Sequence, residues 1–308
     1  MRRWAYVRLT VIIDDDRGEA ILHPRTYGWL TAIMAVFGLT PVAGFPLAGF
    51  LAGVSGGGLT GMTYESIPTR ASVPASVDAP VDSPTGTGTV ARIGAVAWIV
   101  GATQFLVANV VGQAAWTTPY SLVHNNISDL GVASCGVFDE EFPRYICSPL
   151  HTLVNASMIA QGILLAAGVA LTARLWGKGF VSRAAQVLLV LAGLGYVFAG
   201  VWPADVNLDG HVLGAFLILI LGNLGLLLAG FAPRTSLVGR ARWFTLVLGL
   251  VALTAMWLHF QRQFGVLGLG GSERLAVFPL QLWTLVVGGL TLVSARSSRP
   301  RIAQTVRS

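Results

Sequence analysis

The stretch HVLGAFLILILGNLGLLLAG, residues 211–230, decides the fold of this 308-residue chain. Apart from the histidine at its start, the stretch contains no side chain that can carry a charge. A helix needs about 20 predominantly apolar residues to cross the hydrocarbon core of a bilayer. The stretch is therefore typical of a membrane-spanning helix.

Five further stretches have the same apolar character, and they are residues 93–115, 151–173, 184–202, 243–260 and 275–294. The whole chain is 54% hydrophobic and only 11% charged, with a mean hydropathy of +0.68. Soluble domains carry about 25% charged residues. The sequence therefore predicts an all-α, polytopic transmembrane helical bundle with six core spans, and it excludes a soluble enzyme, a coiled coil and a disordered chain.

The charged residues are sorted between alternate connections of these spans. From residue 92 onward, one set of connections contains basic residues and no acid, whereas the other set contains all the acids. Basic connections remain in the cytoplasm. We therefore expect a multi-pass protein of the cell membrane with both ends of the core cytoplasmic. The net charge of +6 then reflects topology, so the expected partner is membrane lipid and not nucleic acid; the oligomeric state stays open.

The first 91 residues are harder to interpret. Residues 1–61 form an N-terminal extension with an apolar segment, 27–51, that is long enough for an extra helix but contains Pro41 and Pro46. Residues 62–91 are rich in Pro, Ser and Thr and predict a disordered cytoplasmic linker. Either the extra helix lies beside the bundle, or Met62 is the native start. Residues 92–295 then form the transmembrane domain, and residues 296–308 form a basic cytoplasmic tail.

Ionisable residues gather at the outer ends of the predicted spans. All four histidines of the core lie there, and five charged residues lie at the same level: Asp129, Asp205, Asp209, Glu273 and Arg274. An ionisable group in hydrocarbon is costly unless it is paired or hydrated. These residues predict a polar cavity that faces outward. The alternative is that they are ordinary interface residues at helix ends.

The longest outer connection contains the densest polar motif, HNNISDLG, residues 124–131. His124 and Asp129 could form an acid–base or ligand pair, with Asn125, Asn126 and Ser128 as further ligands. Alternatively, these side chains satisfy the peptide groups of a buried, re-entrant loop. Immediately after this connection, His151 and Asn155 lie four residues apart, and thus on one helical face, which makes both of them site candidates.

Two other features of the outer connections bear on metal binding and redox chemistry. Asp209 and His211 could bind zinc with His124 or His151, but Asp209 is better explained as the N-terminal cap of the fourth helix, where an acid is favoured by the helix dipole. We therefore predict no metal site, and the sequence leaves open whether a cofactor binds. Cys135 and Cys147 are the only cysteines, and two thiols in one outer loop favour a disulfide.

Four motifs together resemble a known family. HNNISDLG, SPLHTLVNASMIAQG, VWPADVNLDGHVLGAFLILILGNLGLLLAG and GGSERLAVFPLQLW occur in this order at the span boundaries. They are similar to the bacterial and archaeal membrane proteins of the domain of unknown function 998 family. The resemblance covers residues 92–294 and implies a six-helix integral membrane protein, but it implies no activity or cofactor.

Two functions compete for the outer polar groups. The first is binding or movement of a lipid or small amphiphile at the outward-facing cavity. The second is a membrane-embedded hydrolase or transferase that acts on a lipid at the outer leaflet. In that enzyme Asp129 or Asp205 would act with His124, His151 or His211 as general acid and base.

Overall fold

The computed structural model of this protein describes residues 88–138 and 142–297, with side chains up to residue 294, and two short strands nearer the N-terminus. Those strands, β1 (Ile12–Ile13) and β2 (Ala20–Ile21), pair antiparallel. The predictions for the apolar segment 27–51, the linker before residue 88 and the tail after residue 297 lie outside the described residues, as do Asp139, Glu140 and Glu141.

Six helices are long and apolar enough to cross a membrane. Their bounds are α1 Thr89–Ala114, α2 His151–Leu171, α3 Phe180–Val201, α4 Leu208–Ala229, α5 Arg242–Phe260 and α6 Gly268–Ser297. A single helical turn, Leu237–Arg240, precedes α5. A two-stranded hairpin, β3 (Gly136–Phe138) and β4 (Arg144–Ile146), lies between α1 and α2. The predicted all-α polytopic bundle is therefore confirmed.

Five of the six helices begin earlier than the hydropathy pattern predicts, and only α2 begins at the predicted residue. α4 begins at Leu208 instead of at residue 211, and α6 shows the largest difference, since it begins at Gly268 instead of at residue 275. A charged residue ends the apolar stretch that hydropathy detects. The helix nevertheless continues through that residue when groups of other elements form hydrogen bonds with its side chain. His211, Glu273 and Arg274 therefore lie inside helices, where their side chains have fixed directions.

Glycines allow the central helices to approach closely. A Cβ on Gly195 of α3 would lie 2.7 Å from the carbonyl oxygen of Gly214 in α4, and a Cβ on Gly214 would lie 2.7 Å from that of Gly195. Small residues of this kind are typical of contacts between transmembrane helices, because lipid provides no hydrophobic force to drive helices together. The backbone contact places α3 and α4 side by side.

The fourth helix is not a regular α-helix. Its middle segment, Leu217–Gly222, is a π-helix between two α-helical segments, Leu208–Phe216 and Asn223–Ala229. The side chain of Asn223 donates to the carbonyl oxygen of Ala276 in α6 at 3.0 Å. π-Helical turns are rare and occur frequently at functional sites. The π-helical segment therefore marks this part of α4 as a candidate for a functional site.

Candidate functional site

The connection between α1 and α2, residues 116–150, covers one end of the bundle, which we call the loop end. A Cys135–Cys147 disulfide closes the β3–β4 hairpin, as the two cysteines of this connection predict. Val132, Phe138 and Ile146 pack together beside the hairpin. The disulfide and this small apolar cluster hold the outer part of the connection as a compact unit.

The disulfide should contribute measurably to stability. Replacing both Cys135 and Cys147 with serine should lower the free energy of unfolding by about 3 kcal/mol, because the cross-link restricts the unfolded chain. The measurement is chemical denaturation of the purified protein in a neutral detergent, with and without a reductant. The reductant should destabilise the wild type and leave the double variant unchanged. A wild type that is insensitive to reduction would contradict this assignment.

The inner part of the connection, residues 125–131, enters the bundle as a re-entrant segment and ends in a 3₁₀ turn, Ser128–Gly131. Five of its residues are at most 7% exposed, although the segment is polar: Asn125, Asn126, Ile127, Asp129 and Leu130. Peptide groups buried in this way must find hydrogen-bond partners. The surrounding side chains provide them.

Asp129 is the centre of the re-entrant segment. Its carboxylate forms a two-pronged ion pair with Arg144, with Nε 2.6 Å from Oδ2 and Nη2 2.7 Å from Oδ1, and both side chains are buried. Oδ2 also accepts from the backbone N–H of Asn126 at 2.9 Å and from Asn125 Nδ2 at 3.2 Å. The carboxylate is therefore occupied by the loop itself.

Helix α2 and the residues directly before it support the same segment. Ser148 Oγ donates to the Leu130 carbonyl oxygen at 2.7 Å, and Asn155 Nδ2 donates to the Gly131 carbonyl oxygen at 2.8 Å. A Cβ at Gly131 would overlap Asn155 Oδ1, so this contact requires glycine. His151 Nδ1 lies 3.0 Å from the Ser148 carbonyl oxygen. Asn155 therefore contacts the HNNISDLG motif directly, and His151 contacts the residue that supports it.

The connection before α4 also binds the loop. Asp205 Oδ2 accepts from the backbone N–H groups of Ala133 and Ser134 at 3.0 and 2.8 Å. The N-cap of α4 is Asn207, whose Oδ1 accepts from the Gly210 N–H at 3.0 Å. Asp209 lies exposed in the first helical turn, where an acid is favoured by the helix dipole, but it is not the cap.

Arg274 of α6 holds the loop from the opposite side. Its Nη1 donates to the carbonyl oxygens of Asn125 at 2.7 Å and Gly270 at 2.8 Å, and its Nη2 donates to the hydroxyl of Tyr120. The Tyr120 hydroxyl in turn donates to the Asn126 carbonyl oxygen at 3.0 Å. Burial raises the pKa of Tyr120, so this hydroxyl keeps its proton at neutral pH.

Glu273 points in a different direction from its neighbour Arg274. Its Oε2 accepts from the backbone N–H of Ile127, and the side chain lines a cavity of about 40 Å³ beneath the re-entrant segment. The other polar residues of this wall are Ser128, Tyr196 and His211. Six of the remaining lining residues are large and apolar: Phe105, Ile127, Met158, Ile218, Leu219 and Val277. Two of these six, Ile218 and Leu219, belong to the π-helical segment.

Two polar residues of the cavity wall have further fixed contacts. His211 Nδ1 lies 3.0 Å from the Trp202 carbonyl oxygen, which can only accept, so Nδ1 carries the proton. Tyr196 accepts from Gln281 Nε2 at 2.7 Å, and Gln161 Nε2 donates to Gln281 Oε1 at 2.6 Å. This polar chain extends from the cavity into the interior of the bundle.

The remaining candidates lie elsewhere at the loop end. His124 is exposed and lines a separate groove of about 450 Å³ with Arg144 and Arg262. His259 Nδ1 lies 2.9 Å from Ser272 Oγ. Within the part of the chain that the structure describes, no three His, Cys, Asp or Glu side chains are grouped so that they could hold a metal ion.

The structure thus divides the predicted residues into two groups. Ser128, His211 and Glu273 line one cavity, whereas Asp129, Asp205, Asn155 and Arg274 hold the loop. Sequence reasoning missed Tyr196 and Tyr120, whose aromatic rings were counted as apolar. It also missed Arg144 as the partner of Asp129, although a lone arginine in an acid-rich connection is a usable signal of an ion pair.

Comparison with known proteins adds the family. No curated protein and no solved structure matches the chain. The model of a family described as "Protein of unknown function (DUF998)" matches residues 99–290, from the first helix to the sixth. This match covers more than half of the 308 residues and confirms the resemblance of the four motifs. The chain is therefore an integral membrane protein that belongs to the DUF998 family.

Proposed function

We propose that the protein binds, and thereby moves or presents, a lipid or small amphiphile whose polar head enters the cavity beneath the re-entrant segment. The observation that carries this proposal is the composition of the wall: four polar residues lie beside large apolar side chains from several helices. Ligand sites typically combine an apolar lining with a few placed polar groups. An amphiphile has an apolar chain and a polar head, which match these two kinds of lining.

The π-helical segment of α4 provides independent support. A π-helix widens the helical turn and leaves its hydrogen bonding less regular, and such turns occur frequently at functional sites. In this chain the segment presents Ile218 and Leu219 to the cavity. A local change in this turn would alter the width of the cavity without unfolding the helix.

The hydrolase alternative receives less support from the same contacts. Asp129 accepts four hydrogen bonds from the loop and Arg144, and Asp205 accepts two from backbone N–H groups. A general base must be able to reach the proton that it abstracts. Two of the predicted acids are instead occupied in holding the loop, so binding is the function that the geometry favours.

We also propose that the loop end faces the outside of the cell membrane. The connections of the opposite end contain the basic residues Arg174, Lys178, Arg234 and Arg240, and basic connections stay in the cytoplasm. The disulfide at the loop end agrees with this orientation, because disulfides persist on the oxidising side of a membrane.

The proposed function predicts that filling the cavity prevents binding. The probe is a long-chain alcohol with a photoreactive diazirine group. Because the alcohol is uncharged, its binding tests for an amphiphile site whether or not the cavity recognises a charged head group. In the wild type we expect cross-links to cavity residues such as Phe105 and Met158. The Ala215→Phe variant places a ring in the cavity and should reduce these cross-links about tenfold or more, because overpacked sites exclude ligand atoms.

The matched control is Ala156→Phe. Ala156 is an exposed residue of α2 close to Met158 in sequence, so this variant adds the same ring outside the cavity. It should leave the cross-links to Phe105 and Met158 unchanged. Labelling confined to exposed residues such as Val107 in the wild type, or equal labelling of Ala215→Phe and the wild type, would overturn the proposed function.

A further inference from the structure

The cavity contains one carboxylate without a cationic partner. Within the described residues, Glu273 accepts one backbone hydrogen bond through Oε2, and no Lys or Arg nitrogen forms an ion pair with it. The charge of the adjacent Arg274 acts on Glu273 from a distance, but its guanidinium makes no ion pair with this carboxylate, since it donates to the loop carbonyls and to Tyr120. A half-buried carboxylate of this kind is costly unless a positive group binds beside it.

The other polar groups of the wall complete a hydrogen-bonding site. In neutral His211 the proton is on Nδ1, which leaves Nε2 as an acceptor. The Tyr196 oxygen accepts from Gln281, and the Ser128 hydroxyl can accept as well as donate. Hydrogen-bond acceptors and one carboxylate therefore line the cavity, and none of its described lining residues is a lysine or an arginine.

We propose that the head group bound in this cavity is a primary ammonium group. The proposal rests on the proposed function, because it names the chemical class of the amphiphile that enters the site. An ammonium group has three N–H donors and one positive charge. It therefore matches Glu273 and two neutral acceptors, for which His211, Tyr196 and Ser128 are the candidates.

The hydrogen-bonding groups of the wall make the proposal more specific. A primary ammonium group can donate to Glu273 and to two neutral acceptors of the same wall. A trimethylammonium head carries the same charge but has no N–H donor, so it cannot make these hydrogen bonds.

The experiment compares probes that share one alkyl chain and differ in the head group. Binding of dodecylamine, dodecyltrimethylammonium, dodecanoate and dodecanol to the purified full-length protein is measured by calorimetry in a neutral maltoside detergent. At neutral pH dodecylamine is protonated. We expect it to bind the wild type at least about tenfold more tightly than each of the other three, because a charge-assisted hydrogen bond is stronger than a neutral one.

The diagnostic variant is Glu273→Gln, which removes the charge but keeps an oxygen that accepts from the Ile127 N–H. It should weaken dodecylamine binding about tenfold or more and leave dodecanol binding unchanged. The control is Asp209→Asn, which removes an exposed carboxylate outside the cavity and should bind dodecylamine like the wild type. The comparison of probes on the wild type remains decisive even if Glu273→Gln fails to fold.

The outcomes separate this inference from the proposed function. Equal binding of all four probes to the wild type would overturn the ammonium inference and leave amphiphile binding intact. Binding of methylammonium chloride as tightly as dodecylamine would support ammonium recognition and overturn the amphiphile function. Binding of none of the probes would overturn both, and tight binding of dodecyltrimethylammonium would overturn the requirement for N–H donors and with it the inference.

Discussion

The Asp129→Asn variant should lose about 3–5 kcal/mol of unfolding free energy, which is the range observed when one partner of a buried ion pair is removed. Asparagine has nearly the same shape as aspartate, but it removes the negative charge that pairs with the buried Arg144 guanidinium. Chemical denaturation in detergent measures the loss. Hydrogen exchange of residues 125–131 should rise in the same variant, because the carboxylate also accepts hydrogen bonds from this segment.

A double replacement separates the ion pair from the rest of the site. Asp129→Leu combined with Arg144→Met should recover part of the stability lost in Asp129→Asn, because a buried ion pair can be replaced by apolar side chains of similar volume at little cost. The surface control Asp209→Asn should change stability by less than about 0.5 kcal/mol. If Asp129→Asn is also within that margin, Asp129 does not organise the loop as its contacts indicate.

The Arg274→Met variant should lower the free energy of unfolding by about 4 kcal/mol and release the loop from α6. Methionine retains much of the apolar stem but none of the donors, so the Asn125 carbonyl and the Tyr120 hydroxyl lose a donor, and each unsatisfied buried group costs about 1–3 kcal/mol. We expect hydrogen exchange in residues 120–131 to increase more than exchange in the helices. Binding of an amphiphile should weaken as well, because Ile127 and Ser128 form part of the cavity wall.

Two control variants test whether the effect requires an arginine at residue 274 and whether it requires the guanidinium group. Arg234→Gln removes an exposed arginine from the connection between α4 and α5 and should leave the loop protected. Arg274→Lys keeps the charge but not the planar fork of donors, so it should recover only part of the lost stability. Full recovery by lysine would contradict the role of several simultaneous hydrogen bonds, and unchanged exchange in Arg274→Met would contradict the anchoring role altogether.

The helices of this protein could be predicted closely from hydropathy, but which of the candidate polar side chains lie together could not. Residues 243–260 were expected to span the membrane, and the observed helix Arg242–Phe260 differs by one residue. The last helix was predicted to begin at residue 275 but begins at Gly268. The reason is that Glu273 and Arg274 bind peptide groups of the re-entrant segment, a contact between residues almost 150 positions apart.

For the HNNISDLG motif, too, the residue types alone did not determine the role of the side chains. Its composition allowed either an acid–base site or a loop whose side chains satisfy buried peptide groups. In the structure Asp129 is held by Arg144, Asn125 and the backbone of Asn126, which is the loop arrangement. Composition could not decide between them, because both require the same polar residue types.

Sequence alone determined that this protein is a polytopic membrane protein of the DUF998 type, that it contains six apolar helices and that its two cysteines pair. These properties depend on local hydropathy and on residues close together in the chain. Only the tertiary structure decided which polar residues share a space. Ser128, Tyr196, His211 and Glu273 come from four separate segments and meet at one cavity, whereas Asp129 and Arg274 face away from it. The direction of a side chain depends on helix rotation and packing, and hydropathy contains no information about either.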